Sequence, residues 1–321
     1  MAQIHDLQTR QLHPLRSHHT FGRCPQRSDT VINNPITSRI HIALEWDGER
    51  WNARDLSKNG TWLGRRRLVA NESTPLARGD ILHLGAPELP GLQLVDDAPP
   101  ESQLVGLNGA PSRPLKSYTF LPDADSPEAV VFYSFQRHAW MVHPVQQDGA
   151  QQEERTLGHG DEISYAGECW QVFLTDTGQM TELNIAPLNH LDDIEFVFNL
   201  SQDEENTALR LLMGNQQIDL GERSHHYLLV HLARLKATQA EAGFDSDSLG
   251  WVDNEQLRRD LGLDMSHINI MIFRARKQIA ENLASELDSE LLVERGKGRV
   301  RFGGSRFKIF KGSKLAYSLP G

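Results

Sequence analysis

The stretch GRCPQRSDTVINNPITSRIHIALEWDGERWNARDLSKNGTWLG, residues 22–64, carries three polar motifs at the ends of segments that read as strands. They are Gly22-Arg23, Ser38-Arg39-Ile40-His41 and Asn59-Gly60-Thr61. Two runs with alternating apolar residues flank Asp47-Gly48, a dipeptide that favours a two-residue type I′ turn because both positions need positive φ. The pattern predicts a β-hairpin inside an all-β region, with the polar motifs in the loops at the strand ends.

Converging loops of this composition suit the recognition of a phosphate group. A dianion needs donors from several loops, because one loop rarely surrounds it. An arginine supplies a charged fork, a serine hydroxyl supplies a short donor, and a glycine turn brings backbone N–H groups close. Arg23, Ser38, Arg39 and the Lys58-Asn59-Gly60 turn provide these groups. We therefore expect a phosphate-binding site here.

The three ordered motifs resemble the forkhead-associated (FHA) domain, a β-sandwich that binds phosphothreonine. The resemblance covers residues 14–97 and implies two groups of residues. The group expected to bind the phosphopeptide is Arg23, Ser38, Arg39, Lys58 and Asn59. The group expected to hold the loops in place is Gly22, His41, Gly60 and Thr61. The second Asn-Gly of the family is absent, since Leu63-Gly64 stands in its place.

A second β-rich region, residues 103–183, has two short matches to the first. Trp140 corresponds to Trp51, and the segment from Leu157 to Ile163 corresponds to that from Leu76 to Ile81. This region is either a degenerate FHA-like repeat or a chance match in β-rich sequence. It lacks the Gly-Arg and Asn-Gly-Thr motifs, so we do not expect it to bind phosphate.

The net charge of −10 is distributed unevenly along the chain. Residues 1–100 carry a net +1, residues 101–221 a net −14 and residues 222–321 a net +3. A basic C-terminal part indicates a nucleic-acid partner for that part alone. The acidic middle could cover basic residues in a resting state, and we predict autoinhibition by residues 101–221 over Lys297, Arg299 and Arg301.

The C-terminal part has the order strands, three helices, hairpin. The third predicted helix begins at Asp264 or Ser266 and runs to about Leu283, with an apolar face at helical spacing. Polar and basic side chains project from its remaining arc, and the following hairpin adds nearly alternating basic residues that could contact phosphates. The residues expected to contact DNA are Asn269, Arg274, Arg276, Lys277, Lys297, Arg299 and Arg301.

This arrangement, over residues 195–310, resembles the winged helix-turn-helix output domain of bacterial response regulators. The segments that carry the resemblance are Arg274-Ala275-Arg276-Lys277 and the basic hairpin from Leu291 to Arg301. Met271 and Phe273 depart from it, since they stand where polar residues would meet bases. They could contact thymine methyl groups or pack against a partner.

Other features of the sequence point away from catalysis and metal chemistry. The chain has two cysteines without metal-ligand spacing, and it lacks a nucleophile elbow and a phosphate-binding P-loop. We expect no enzymatic activity, no cofactor and no metal. Residues 1–13 lack the apolar core of a signal peptide and are predicted to be a disordered lead, while residues 311–321 are predicted to be a tail.

The expected fold is multidomain: a β-rich N-terminal and middle part, then an α+β C-terminal part. The expected function is that of a cytoplasmic bacterial transcription regulator in signal transduction, with no membrane segment. Its expected partners are a phosphothreonine-containing protein, either a Ser/Thr kinase or a kinase substrate, and double-stranded DNA. The alternative is a phosphodependent scaffold whose winged helix contacts protein.

Overall fold

The computed structural model describes residues 1–145, 154–175, 191–245, 247–283 and 288–320. The chain divides into two compact units. The first contains Met1–Leu115, Gly158–Ser164 and Glu168–Thr181; the second contains Lys116–Leu157, Tyr165–Gly167 and Glu182–Gly321. No helix within the described ranges is long and apolar enough to cross a membrane.

The N-terminal region is built of strands in two sheets. The strands are β1 (Gln3–Asp6), β2 (Leu12–Pro14), β3 (His18–Gly22), β4 (Thr30–Val31), β5 (Ile42–Trp46), β6 (Trp51–Asp55), β7 (Thr61–Leu63), β8 (Arg66–Arg67), β9 (Ser73–Pro75), β10 (Ile81–Leu84) and β11 (Leu92–Asp96). One sheet has the order β2-β1-β11-β10-β7-β8 and the other β4-β3-β5-β6-β9. Both contribute to one buried cluster, to which Ile4 and Leu82 come from the first sheet and Phe21, Leu44 and Trp51 from the second. This is the predicted β-sandwich.

Two local predictions in this region are wrong. The expected disordered lead contains β1, which pairs with β11 and buries Ile4 completely, because its alternating residues continue the core of the sheet. The hairpin of β5 and β6 is present, but Trp46 pairs with Trp51 and leaves a four-residue loop. The Asp47 carboxylate organises that loop by accepting from the N–H groups of Glu49 and Arg50, both at 2.9 Å, so a two-residue turn is not formed.

The second β-rich region also forms two sheets. Its strands are β12 (Gln103–Leu107), β13 (Arg113–Pro114), β14 (Tyr118–Leu121), β15 (Ala129–Ser134), β16 (Ala139–Pro144), β17 (Arg155–Leu157), β18 (Glu162–Tyr165) and β19 (Glu168–Phe173). The orders are β13-β12-β19-β18 and β14-β15-β16-β17. They parallel the N-terminal orders β2-β1-β11-β10 and β3-β5-β6-β9. The strands β7 and β8, which follow the Asn-Gly-Thr turn in the first region, have no counterpart in these two orders.

A turn that the sequence match singled out has the same hydrogen bonds in both regions. The Asp80 carboxylate accepts from Ala77 N–H at 2.8 Å, and the Asp161 carboxylate accepts from Gly158 N–H at 2.9 Å. These agreements support the repeat, which stays a prediction. The expected single domain over residues 103–183 is divided, because β14–β17 belong to the second compact unit while β12, β13 and β19 belong to the first.

The C-terminal region combines a sheet, helices and a hairpin. Its elements are β20 (Glu195–Leu200), β21 (Thr207–Met213), β22 (Gln216–Glu222), α1 (His225–Glu241), β23 (Val252–Asp253), α2 (Asn254–Leu261), α3 (Met265–Asn282), β24 (Val293–Gly296), β25 (Arg299–Phe302), β26 (Arg306–Lys311) and β27 (Lys314–Leu319). Short 3-10 helices cover Leu191–Asp193 and Ser289–Leu292. The sheets have the orders β22-β21-β20-β26-β27 and β23-β25-β24.

The ends of α2 and α3 follow from local chemistry. Gly262 ends α2 in the left-handed conformation, with φ of 65°, which costs glycine little. Asp264 caps α3 by accepting from His267 N–H at 2.8 Å. Ile268, Ile272 and Ile279 on α3 pack into the core shared with α1. The predicted tail is wrong, since β27 pairs with β26 and extends the larger sheet.

Candidate functional site

Three loops of the N-terminal sandwich meet at Ser38. Gly22-Arg23 ends β3, Ser38 lies between β4 and β5, and Lys58-Asn59-Gly60 lies between β6 and β7. Arg23 N–H donates to the Ser38 carbonyl at 2.9 Å. Lys58 N–H donates to the Ser38 hydroxyl oxygen at 3.1 Å. The structure therefore brings together loops that are 15 to 20 residues apart in sequence, as the phosphate-site prediction requires.

His41 ties two of these loops together from inside the domain. It is fully buried; its Nδ1 accepts from Ser38 N–H at 2.9 Å and its Nε2 donates to the Gly60 carbonyl at 3.1 Å. This pair of bonds needs a neutral ring with the proton on Nε2. Burial lowers the pKa of His41, although the bond to Gly60 and the charge of Asp55 act in the opposite direction. The neutral ring is thus the form that holds the loops.

The remaining motif residues shape the same loops. A Cβ on Gly22 would lie 2.2 Å from the Arg39 carbonyl oxygen, so only glycine allows the two loops to approach this closely. Gly60 has φ of 98°, a conformation that side chains disfavour. The Thr61 hydroxyl donates to the Asp55 carboxylate at 2.9 Å and is buried.

The cationic groups of the site face outward. Arg23, Arg39 and Lys58 are exposed, and no salt bridge or side-chain hydrogen bond of theirs occurs in the part of the chain that the structure describes. The Asn59 amide nitrogen donates to the Ile36 carbonyl at 2.7 Å, which holds the loop before β5 beside the turn. The side-chain charges of these two arginines and one lysine are thus exposed, and no acidic side chain within the described ranges pairs with them.

Sequence reasoning missed three supporting residues. The buried carboxylate of Asp55 accepts from Thr61 and from Ser57 N–H, and the Ser57 hydroxyl accepts from Gly60 N–H at 2.7 Å. The Asp55-Leu56-Ser57 sequence ahead of the glycine turn could have signalled them, since such residues bond nearby backbone groups. Arg67 donates to the Asn59 carbonyl at 3.2 Å from the β8 strand, and no local motif marks it.

Comparison with known proteins agrees with this geometry. The family model of the FHA domain matches residues 19–85, so the chain contains an FHA domain at its N-terminus, and such a domain implies phosphothreonine-dependent binding. No curated protein sequence matches the chain.

Several solved FHA structures are similar to it. The N-terminal FHA domain of Saccharomyces cerevisiae Rad53p with a phosphothreonine peptide is 26% identical over 29% of this chain and 89% of that one, with a TM-score of 0.25. An Arabidopsis thaliana FHA domain is 27% identical over 28% of this chain and 75% of that one, with a TM-score of 0.25. Mycobacterium tuberculosis EmbR with a low-affinity phosphopeptide is 23% identical over 30% of this chain and 25% of that one, with a TM-score of 0.27.

The residues expected to contact DNA from α3 are engaged within the second unit. Arg276 is 3% exposed and donates to the carbonyls of Glu290 and Val293 at 2.8 and 2.6 Å. Arg274 donates to the Ala124 carbonyl in the loop after β14. Asn269 accepts from Arg295 at 2.9 Å. Lys277 lies 5.3 Å from the Phe120 ring centroid and 3.8 Å from Glu281.

The basic residues of the β24–β25 hairpin are more open. Lys297 and Arg299 are exposed, and the guanidinium groups of Arg299 and Arg301 lie 4.5 and 4.8 Å from the Trp251 ring centroid. Arg301 also pairs with Glu294 at 2.8 Å. The sequence prediction placed the acidic middle over these three residues, whereas the structure places strands β14–β16 of that middle against α3.

Proposed function

We propose that the protein is a phosphorylation-responsive DNA-binding regulator. The observation that carries the proposal is the set of three loops that meet at Ser38, two of them tied together by His41, with the side chains of Arg23, Arg39 and Lys58 exposed on these loops. Such an arrangement favours a phosphothreonine ligand, because charge-assisted bonds to a dianion are stronger than neutral ones. The partner would be a phosphorylated kinase or kinase substrate.

The C-terminal region would serve as a winged helix-turn-helix. The order of α1, α2, α3 and the β24–β25 hairpin supports this proposal, as does the exposed basic character of Lys297 and Arg299. The helix α3 would enter the major groove and the hairpin would contact the backbone. Binding of this kind needs neither catalysis nor a cofactor, and we place the protein in the cytoplasm, where bacterial DNA lies.

A second candidate function is a phosphodependent scaffold whose C-terminal region contacts protein. The burial of Phe273 against strands β14–β16 favours it, because this apolar residue lies on the helix that would read bases.

One experiment separates the two candidates. The whole chain is mixed with random duplex DNA at about 50 mM salt, with and without a phosphothreonine peptide selected from a library. The regulator binds duplex with strong salt dependence, and Lys297→Ala lowers the log–log salt slope by about 0.9 while Lys314→Ala, an exposed lysine on β27, does not. Phosphopeptide capture without any duplex binding in either condition favours the scaffold. Equal affinity for phosphorylated and plain peptides overturns both.

A further inference from the structure

One side of α3 is covered by the sheet of β14–β17. Phe273 on α3 is fully buried, and its ring centroid lies 5.4 Å from that of Phe132, 6.1 Å from Tyr118 and 5.1 Å from His143. The other buried members of this apolar cluster are Phe120, Val130, Met141 and Val145. Contact between four aromatic rings at these distances is the packing of a protein interior.

Polar contacts extend around this cluster. The Tyr118 hydroxyl lies 3.0 Å from the hydroxyl of Ser289, the first residue of the second 3-10 helix. Phe135 N–H donates to the Glu290 carboxylate at 3.1 Å. Arg274 donates to the Ala124 carbonyl, and Lys277 lies over the Phe120 ring. The sheet therefore engages two of the basic side chains that α3 would offer to DNA.

The covered residues form a single stripe of the helix. Ile270, Phe273 and Ala280 contact the cluster, and Lys277 joins them at a spacing of three or four residues. The opposite stripe, with Ile268, Ile272 and Ile279, packs into the core of its own domain. A helix about 10 Å across fills a major groove about 12 Å wide, so the outward stripe must be free before α3 can enter. A duplex bound at α3 would therefore compete with the sheet for the same surface.

We infer that the β14–β17 sheet is a cis-acting cover of α3, which must leave the helix before the protein binds DNA. The inference rests on the proposed DNA-binding function. Only molecules in which α3 is uncovered can bind duplex. The apparent affinity for duplex is therefore the affinity of the open form multiplied by the fraction of molecules that are open. Uncovering α3 also exposes Tyr118, Phe120 and Phe132, an aromatic surface that a second protein could hold.

The test compares the duplex affinity of the whole chain and its variants by fluorescence anisotropy at fixed low salt. Phe132→Ala removes, on the sheet side, a ring that contacts Phe273. The sequence of α3 itself is left unchanged by this substitution. Val131→Ala is the matched control, because Val131 is equally buried in β15 but faces the opposite side of the sheet. Ala139→Glu places a charge at the half-buried edge of the cluster and serves if Phe132→Ala fails to fold.

We expect Phe132→Ala and Ala139→Glu to bind duplex at least about tenfold more tightly than the wild type, with Val131→Ala unchanged, since loosening the cover raises the open fraction. Equal affinities in folded wild type and variants overturn the cover while the DNA-binding function stands. Duplex binding by none of the folded chains, Ala139→Glu included, removes the DNA-binding function and the inference with it. Circular dichroism and thermal melting show which variants are folded.

Discussion

The two candidate binding surfaces use the same residue type in opposite ways. Arg23 and Arg39 extend from loop ends into solvent and bond to nothing else in the described residues through their side chains. Arg276 is 3% exposed and bonds two backbone carbonyls, although it lies in a basic run of an amphipathic helix. An arginine at a loop end is free for a ligand, whereas an arginine on a packed helix becomes part of the core when a neighbouring segment covers it.

Substitution of Arg276 is expected to have the greatest effect, and that effect is on stability. Arg276→Ala leaves the carbonyls of Glu290 and Val293 without a donor, and we expect the free energy of unfolding of the second unit to fall by about 1–3 kcal/mol for each of the two carbonyls. Urea denaturation measures it. Arg259→Ala, an exposed arginine on α2, is the control and is expected to change the free energy of unfolding by less than about 0.5 kcal/mol. An Arg276→Ala protein of unchanged stability with weakened duplex binding would contradict the structural role and assign Arg276 to DNA binding.

The next effect is expected at Arg23, on binding rather than stability. Charge-assisted bonds to phosphate are worth about 1.5–3 kcal/mol each, so Arg23→Ala should weaken phosphothreonine peptide binding by about tenfold to over a hundredfold. Isothermal calorimetry measures the affinity, and thermal melting should show an unchanged midpoint. Arg78→Ala, an exposed arginine in the turn before β10, is the matched control and should bind as the wild type does. A melting temperature lowered along with the affinity would make Arg23 a structural residue like Arg276.

The weakest of the three effects is a dependence of folding stability on pH that is caused by protonation of His41. Burial lowers the pKa of His41 in the folded state from its unfolded value of 6.5. When the pH is below 6.5, the unfolded chain therefore binds more protons at this residue than the folded chain does. The stabilisation by neutral His41 is present above pH 6.5 and is lost as the pH falls towards the folded pKa. We expect unfolding measurements between about pH 7.5 and 5 to show this loss.

His19 lies in the same unit, and burial lowers its pKa to about 4, so its protonation also changes the stability of this unit at acidic pH. The contribution of His41 is therefore measured as the difference between the wild type and His41→Gln. The variant should show a flatter dependence on pH and weaker peptide binding at neutral pH. An identical slope in both proteins would mean that protonation of His41 does not open the loops.

Much of the phosphate site could be predicted because its determinants are local. Glycine is needed where Gly22 approaches the Arg39 carbonyl, and the Asn59-Gly60-Thr61 turn needs a positive φ at its centre. These requirements act within a few residues, so the sequence shows them directly. The ends of α2 and α3 at Gly262 and Asp264 are visible for the same reason. Arg67 lay beyond such reasoning, since its bond to Asn59 depends on how β8 follows β7.

Local sequence signals were enough to predict the N-terminal sandwich, its converging polar loops and the succession of helices and hairpin in the C-terminal region, because turns, caps and periodicity depend on neighbours along the chain. Packing between distant segments, rather than any local signal, makes β1 and β27 join sheets and brings β14–β16 against α3. It also decided that Arg276 is buried while Arg23 is exposed. Whether an apolar or basic side chain meets solvent or another sheet depends on burial between segments more than 100 residues apart, such as Phe132 and Phe273, and no local pattern encodes that pairing.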